Sequence, residues 1–94
     1  MSVQLEWMRY LFRWIDWNTE HIAEHGVSIR EAEYVVDHAK RPYPRTIGDG
    51  KMLVRGKTRE GCFLQVIYVI DRDKTVFVIH ARPLTDAEKR RFRR

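Results

Sequence analysis

Near the carboxy end of this 94-residue chain, Ile79-His80-Ala81-Arg82 sets an imidazole and a guanidinium two residues apart, at the end of a β-branched, apolar run. On an extended segment, side chains two apart share a face. His80, which titrates near neutrality, and Arg82, which is always charged, would therefore address the same point in space. A proton acceptor beside a fixed cation suits chemistry on a polyanion. From Arg82 to Arg94 there are six basic and two acidic residues, within a whole-chain formal charge of +5. A polyanion or an acidic protein is the complement of such a patch, although a charged terminal helix that only keeps a small domain soluble would look the same.

Other residues could extend that chemistry. Lys51, Arg55 and Lys57 alternate on one face of a β-like run with Leu53, where they could form a phosphate-binding surface together with Lys89, Arg90 and Arg91 of the basic tail. Tyr68 is a candidate acid or stacking group, with a core position and its hydroxyl at the rim as the plainer alternative. For Arg82 the alternative is a salt bridge to Glu88 or Asp86, and for His80 a hydrogen bond to a neighbouring carbonyl. His21-Ile22-Ala23-Glu24-His25 matches an inverted zinc-protease pattern. A chain of this length leaves little room for a third ligand and a cleft, and Gly26 ends the helix at once. No metal or cofactor is expected, and His21 (with Asn18) and His25 are expected to hold the helix in place by hydrogen bonds. Trp14 and Trp17 could stack on bases but as a pair beside a helix start are expected in the core. Cys62 has no neighbour in sequence to activate it and is given no role.

The elements that must position these groups follow from local signals. Met8, Tyr10, Phe12 and Trp14 alternate, which predicts a strand over 10–14, preceded by a short helical turn. Asp16 is expected to cap a helix to about His25, with Ile22 inward and Gly26 as its left-handed stop. Ser28-Ile29-Arg30-Glu31 is a capping box that opens a second helix to about His38, burying Ile29, Ala32, Val35 and Val36. Pro42 and Pro44 end helical character, and Gly48-Asp49-Gly50 is turn chemistry. Three β-rich runs follow: Lys51 onward with Met52 and Val54, then Phe63 to Ile70, then Thr75 to Ala81. The turns between them, Arg59-Glu60-Gly61 and Asp71-Arg72-Asp73-Lys74, are short enough to permit only an antiparallel meander. Residues of both parities in 63–70 are apolar, which predicts that both faces of the middle strand are covered. Pro83 closes the last strand, and Thr85-Asp86-Ala87-Glu88 is a second capping box opening a terminal helix to about Arg93.

Composition bounds the whole. Ninety-four residues, 44% hydrophobic with three Trp, four Tyr and four Phe, make one α+β domain with one core, residues 1–9 being an amino-terminal extension. A single cysteine forms no internal disulfide, and the longest uncharged apolar stretch, Val66 to Ile70, is far too short for a bilayer. Charges at Glu6, Arg9 and Arg13 interrupt any signal-peptide core. Secretion and membrane association are not expected, and the cytoplasm is.

Three segments in this order carry a resemblance. Trp14 to Glu33 reads W-x-x-W-N-x-x-H-I-x-x-H-G-V-S-x-x-E-A-E, a meander follows, and Ile79 to Arg91 reads I-x-A-R-x-x-T-x-x-E-K-R-R. Together they resemble the BrnT family of toxins, from about Phe12 to the carboxy terminus. The resemblance implies a RelE-like fold with a small antiparallel sheet. It also implies a metal-independent endoribonuclease that cleaves RNA and blocks translation, encoded with an antitoxin that is acidic or DNA-binding, for example of ribbon-helix-helix type. Cleavage of that kind needs a base for the 2′-OH, a cation for the phosphate and an acid for the leaving 5′-oxygen. Arg82 is then expected to stabilise the transition state and His80 to move the proton, with Arg55, Lys57 and Tyr68 around them. A non-catalytic module of the same fold that binds nucleic acid or protein, and an obligate subunit whose basic helix serves assembly or homo-oligomer formation, stay open beside it.

Overall fold

The computed structural model describes residues 10–93. Its elements in chain order are helix α1 (Asp16–Ala23), helix α2 (Ile29–Asp37), strands β1 (Arg45–Thr46), β2 (Lys51–Lys57), β3 (Phe63–Ile70) and β4 (Val76–Pro83), and helix α3 (Asp86–Phe92). The strands form one antiparallel sheet in the order β1-β2-β3-β4. This is the small α+β arrangement read from the sequence, meander included.

Local chemistry accounts for most boundaries. Ser28 Oγ accepts from Glu31 N–H while Glu31 Oε1 accepts from Ser28 N–H, at 3.2 and 3.0 Å. The same reciprocal pair joins Thr85 and Glu88. Each satisfies two backbone donors that a helix start leaves without partners. Before α1 the capping differs from expectation. Asp16 is the first helical residue, the cap is Ile15, and the Ile15 N–H donates to Oδ1 of Asn18 at 2.8 Å. Asn18 is fully buried and its Nδ2 donates to the Arg13 carbonyl, so one amide both starts the helix and ties it to the preceding segment. The helix ends at Ala23, two residues before the predicted His25. Gly26, at φ 76°, carries the chain into the turn, where Val27 N–H donates to the Ile22 carbonyl.

The segment 10–14 is not a strand. Tyr10, Phe12 and Trp14 do face inward, alternating with exposed Leu11 and Arg13. Pairing is limited to one parallel bridge, Phe12 with Val76, closed by Arg13 N–H to the Val76 carbonyl and Val76 N–H to the Leu11 carbonyl. The chain turns into α1 immediately afterwards, before a ladder can grow. The predicted helical turn before residue 10 lies outside the described residues. Strand β1, only two residues, went unanticipated because its pairing with Leu53 and Met52 is set by β2 and not by its own composition.

One face of the sheet carries the core. Val54 of β2, Leu64, Val66 and Tyr68 of β3, and Val76, Val78 and Ala81 of β4 pack against Ile22, Val27, Ala32, Val35 and Val36 from the helices. Gly56 keeps α2 close, since a Cβ there would meet Val35 Cγ1 at 3.3 Å. Ile29, expected inside, is half-buried, and Ile70 at the end of β3 is exposed.

Candidate functional site

The inward residues of β4 are Val76, Val78 and then Ala81, three positions on instead of two. The reason is a bulge: Ile67 pairs with His80 and Tyr68 with Val78, which leaves Ile79 as an extra residue. Strict alternation from Val76 and Val78 would aim His80 and Arg82 into the core. The bulge reverses the parity, so both side chains leave on the opposite face with Phe77.

On that face the register lines up Arg55, Gln65 and Arg82 across three strands. Glu88 of α3 reaches down to them. Its carboxylate takes a bidentate pair from Arg82, Nη1 to Oε1 at 2.8 Å and Nη2 to Oε2 at 2.9 Å, and a third bond from Arg55 Nη2 at 3.3 Å. Arg55 Nε donates to Gln65 Oε1 at 3.0 Å, and Arg82 Nη1 also donates to the Pro83 carbonyl. Hydrogen bonds from Arg82, with the Thr85 N–H and the two guanidinium charges, hold the Glu88 carboxyl far below the usual carboxylate range, and Glu88 raises Arg82 in turn. The salt bridge foreseen as the alternative role for Arg82 is thus present. Two guanidinium groups against one carboxylate leave the cluster net positive, with Arg55 Nη1 making no bond to it.

His80 sits one row away, opposite Ile67 and half-buried. Its ring lies 5.4 Å from that of His25 and 6.1 Å from that of His21. Burial first, then His25, Arg82 and His21, depress its pKa below the ordinary 6.5. At neutral pH it is therefore the uncharged imidazole, able to accept a proton. His21 and His25, read from sequence as hydrogen-bonded anchors, instead pack ring against ring with His80. Among the described residues no group of three or more His, Cys, Asp or Glu side chains is arranged to hold a metal ion.

The remaining candidates divide. Lys51 and Lys57 share the outward face of β2 with Arg55. Lys57 is two residues from Arg55 and rests 5.9 Å from the Phe63 ring, whereas Lys51 is four residues away, ~13 Å along a strand. On α3, Glu88 and Phe92 face the sheet, Phe92 against Phe63 and Tyr43. Arg90 and Arg91 are exposed, and Lys89 lies 3.9 Å from Asp86. Tyr68 does not join the site. It is 1% exposed on the core face, behind the sheet from Arg82, and burial together with Tyr10 pushes its phenol up to about 12. A buried phenol on the wrong face has no route to a phosphate held by Arg82.

Gln65, buried between the two arginines, was placed by its sequence position on the second face of the middle strand but given no role in the site. Its place on the outward face was legible, but its role depends on two partners from other strands. Comparison of the chain with protein-family models, with curated proteins and with solved structures finds no match.

Proposed function

We propose that this protein is a metal-independent endoribonuclease of the BrnT-like toxin type, which cleaves RNA and so blocks translation. The observation that carries the reading is the bulge-directed placement of neutral His80 and charged Arg82 together on the sheet face opposite the core, with Arg55 beside Arg82. His80 takes the proton of a ribose 2′-OH, and that oxygen attacks the adjacent phosphorus. The P–O5′ bond breaks, leaving a 2′,3′-cyclic phosphate and a 5′-hydroxyl. Arg82 and Arg55 neutralise the charge that gathers on the phosphate oxygens. The leaving 5′-oxygen needs a proton, and exposed His25, beside His80, is the group placed to supply it once Tyr68 is set aside. Exposed Arg90 and Arg91 on α3 suit an acidic antitoxin or the RNA backbone.

A second reading has its own support. Because Glu88 already engages both arginines, the cluster could serve only to dock α3, and the domain would then bind nucleic acid or a partner protein without cleaving. Arg82→Ala separates the two. For the enzyme, cleavage of RNA by the purified protein falls by a factor on the order of 10² to 10³, as for loss of one transition-state donor, while RNA binding weakens only modestly. Wild-type protein that leaves RNA intact at high concentration, and whose expression does not slow growth, sinks the ribonuclease reading.

A further inference from the structure

Both tryptophans at the start of α1 were expected in the core, and neither is fully buried. Trp14 is half-buried and its Nε1–H donates to Glu33 at 2.8 Å. Trp17 is 53% exposed. Its ring runs nearly parallel to those of His21 and Phe77, at interplanar angles of 6° and 11° and centroid distances of 5.2 and 6.1 Å. From His21 the row of rings continues to His80 and His25. At its other end the Arg13 guanidinium lies 4.3 Å over Phe77, anchored by Asp71. Burial does not explain an open indole held parallel to two other rings by residues from two elements. Such an arrangement costs side-chain entropy and leaves apolar surface in water.

We infer that Trp17, with His21 and Phe77, is a stacking subsite for a base of single-stranded RNA, contiguous with the phosphate site at His80 and Arg82. This rests on the ribonuclease reading and names how that enzyme holds its substrate. The rings lie beside the same outward residues of β4, so a strand whose phosphate meets Arg82 and His80 can lay a neighbouring base over His21 and Trp17. Exposed Asp16 and Glu20 of α1, with Glu24 capping its C-terminal end, lie at i, i+4 spacing on the stripe beside Trp17 and His21. Their charge repels phosphates and confines the backbone to the side of Arg13 and Arg82. A duplex, whose bases are already stacked inside, cannot use such a platform.

The test is binding of a short single-stranded oligoribonucleotide carrying one 2′-deoxyribose at the scissile position, which removes the nucleophile, followed by fluorescence anisotropy at several salt concentrations. Trp17→Ala is expected to weaken binding roughly 5- to 100-fold, the size of one base–aromatic stack, while Trp17→Phe stays within about 3-fold of wild type. Stacking carries no counterion term, so Trp17→Ala keeps the wild-type salt slope and Arg82→Ala flattens it. An abasic version of the oligomer should weaken the wild type but not Trp17→Ala. If the abasic oligomer binds wild-type protein as well as the intact one, and Trp17→Ala changes nothing while Arg82→Ala still weakens binding, the stacking subsite is wrong and the phosphate site stands. If wild-type protein binds no RNA at all, both fall, and the exposed indole belongs to a protein interface. Thermal unfolding of Trp17→Ala near the wild-type midpoint confirms that the variants compare folded proteins.

Discussion

His80 and Glu88 show how a single residue's surroundings decide what it can do. The imidazole is depressed below its ordinary 6.5 by burial and by His25, Arg82 and His21, all of which disfavour its charged form. The linkage runs in one direction. With the folded pKa below the unfolded one, the unfolded chain binds the proton first as pH falls, so stability is intact above about 6.5 and declines through the window beneath it. Urea midpoints measured across pH 7 to 5 should fall for the wild type, and the decline should flatten in His80→Gln. A decline unchanged in that variant would place the sensitive group elsewhere. If His80 is also the base, the acid limb of the cleavage profile should lie below 6.5, and His80→Gln should abolish cleavage while leaving the fold.

Glu88 poses the opposite case. Its carboxylate is 13% exposed, cannot act as a base while held so far below the carboxylate range, and occupies donors that a phosphate would use. Glu88→Gln keeps the shape and removes the charge. It should raise affinity for single-stranded RNA several-fold and steepen the salt dependence by about one unit of slope, as one more cation becomes available. Lower affinity would mean that Glu88 orients the guanidinium groups instead of competing for them. The same substitution should loosen α3, readable as faster amide exchange over 86–92.

At the scale of elements, the bulge in β4 and the docking of α3 are the two devices that build the site. Deleting Ile79 would remove the extra residue and put His80 directly after the inward Val78, so strict alternation would keep His80 and Arg82 on the outward face opposite Ile67 and Gln65, with Ala81 inward. The deletion variant should therefore still show a cooperative unfolding transition in urea, and Ile79→Val, which keeps the bulge, should unfold within about 1.5 kcal/mol of wild type. A deletion variant without that transition would show that the extra residue itself is needed to fit β4 to β3. Inserting a residue in β4 between Ile79 and His80 would instead turn Arg82 toward the core, and burying an unpaired guanidinium is costly. The caps on α2 and α3 act at this scale too. They were legible because Ser28 and Glu31, and Thr85 and Glu88, lie three apart. The cap on α1 was not, because the buried Asn18 works from inside the helix and Ile15, an apolar residue, stands where a polar one was sought.

At the scale of the molecule, one apolar core on one face of the sheet holds two helices, and the opposite face is left to charged and aromatic side chains under a short basic helix. Ile22, fully buried at the junction of α1 with β4, tests that division. Ile22→Ala should cost about 2–5 kcal/mol of stability, measured by urea unfolding, and should leave RNA affinity per folded molecule unchanged. No helix among the described residues is long and apolar enough to cross a membrane.

The sequence by itself determined the α+β class, the helices, the meander and its turns, because capping boxes, alternation and turn residues act between neighbours a few positions apart. It also paired His80 with Arg82, since two residues apart on a strand share a face whatever that face meets. Which face they meet was decided by the tertiary structure. An extra residue at Ile79 is visible only against β3, and it moved both side chains out of the core while Tyr68, on β3, stayed in it. Likewise Glu88, Arg55 and Gln65 meet Arg82, and His21 and His25 meet His80, across separations of up to 59 positions. Contacts of that kind leave no local signal, for their energy exists only once the chain has folded.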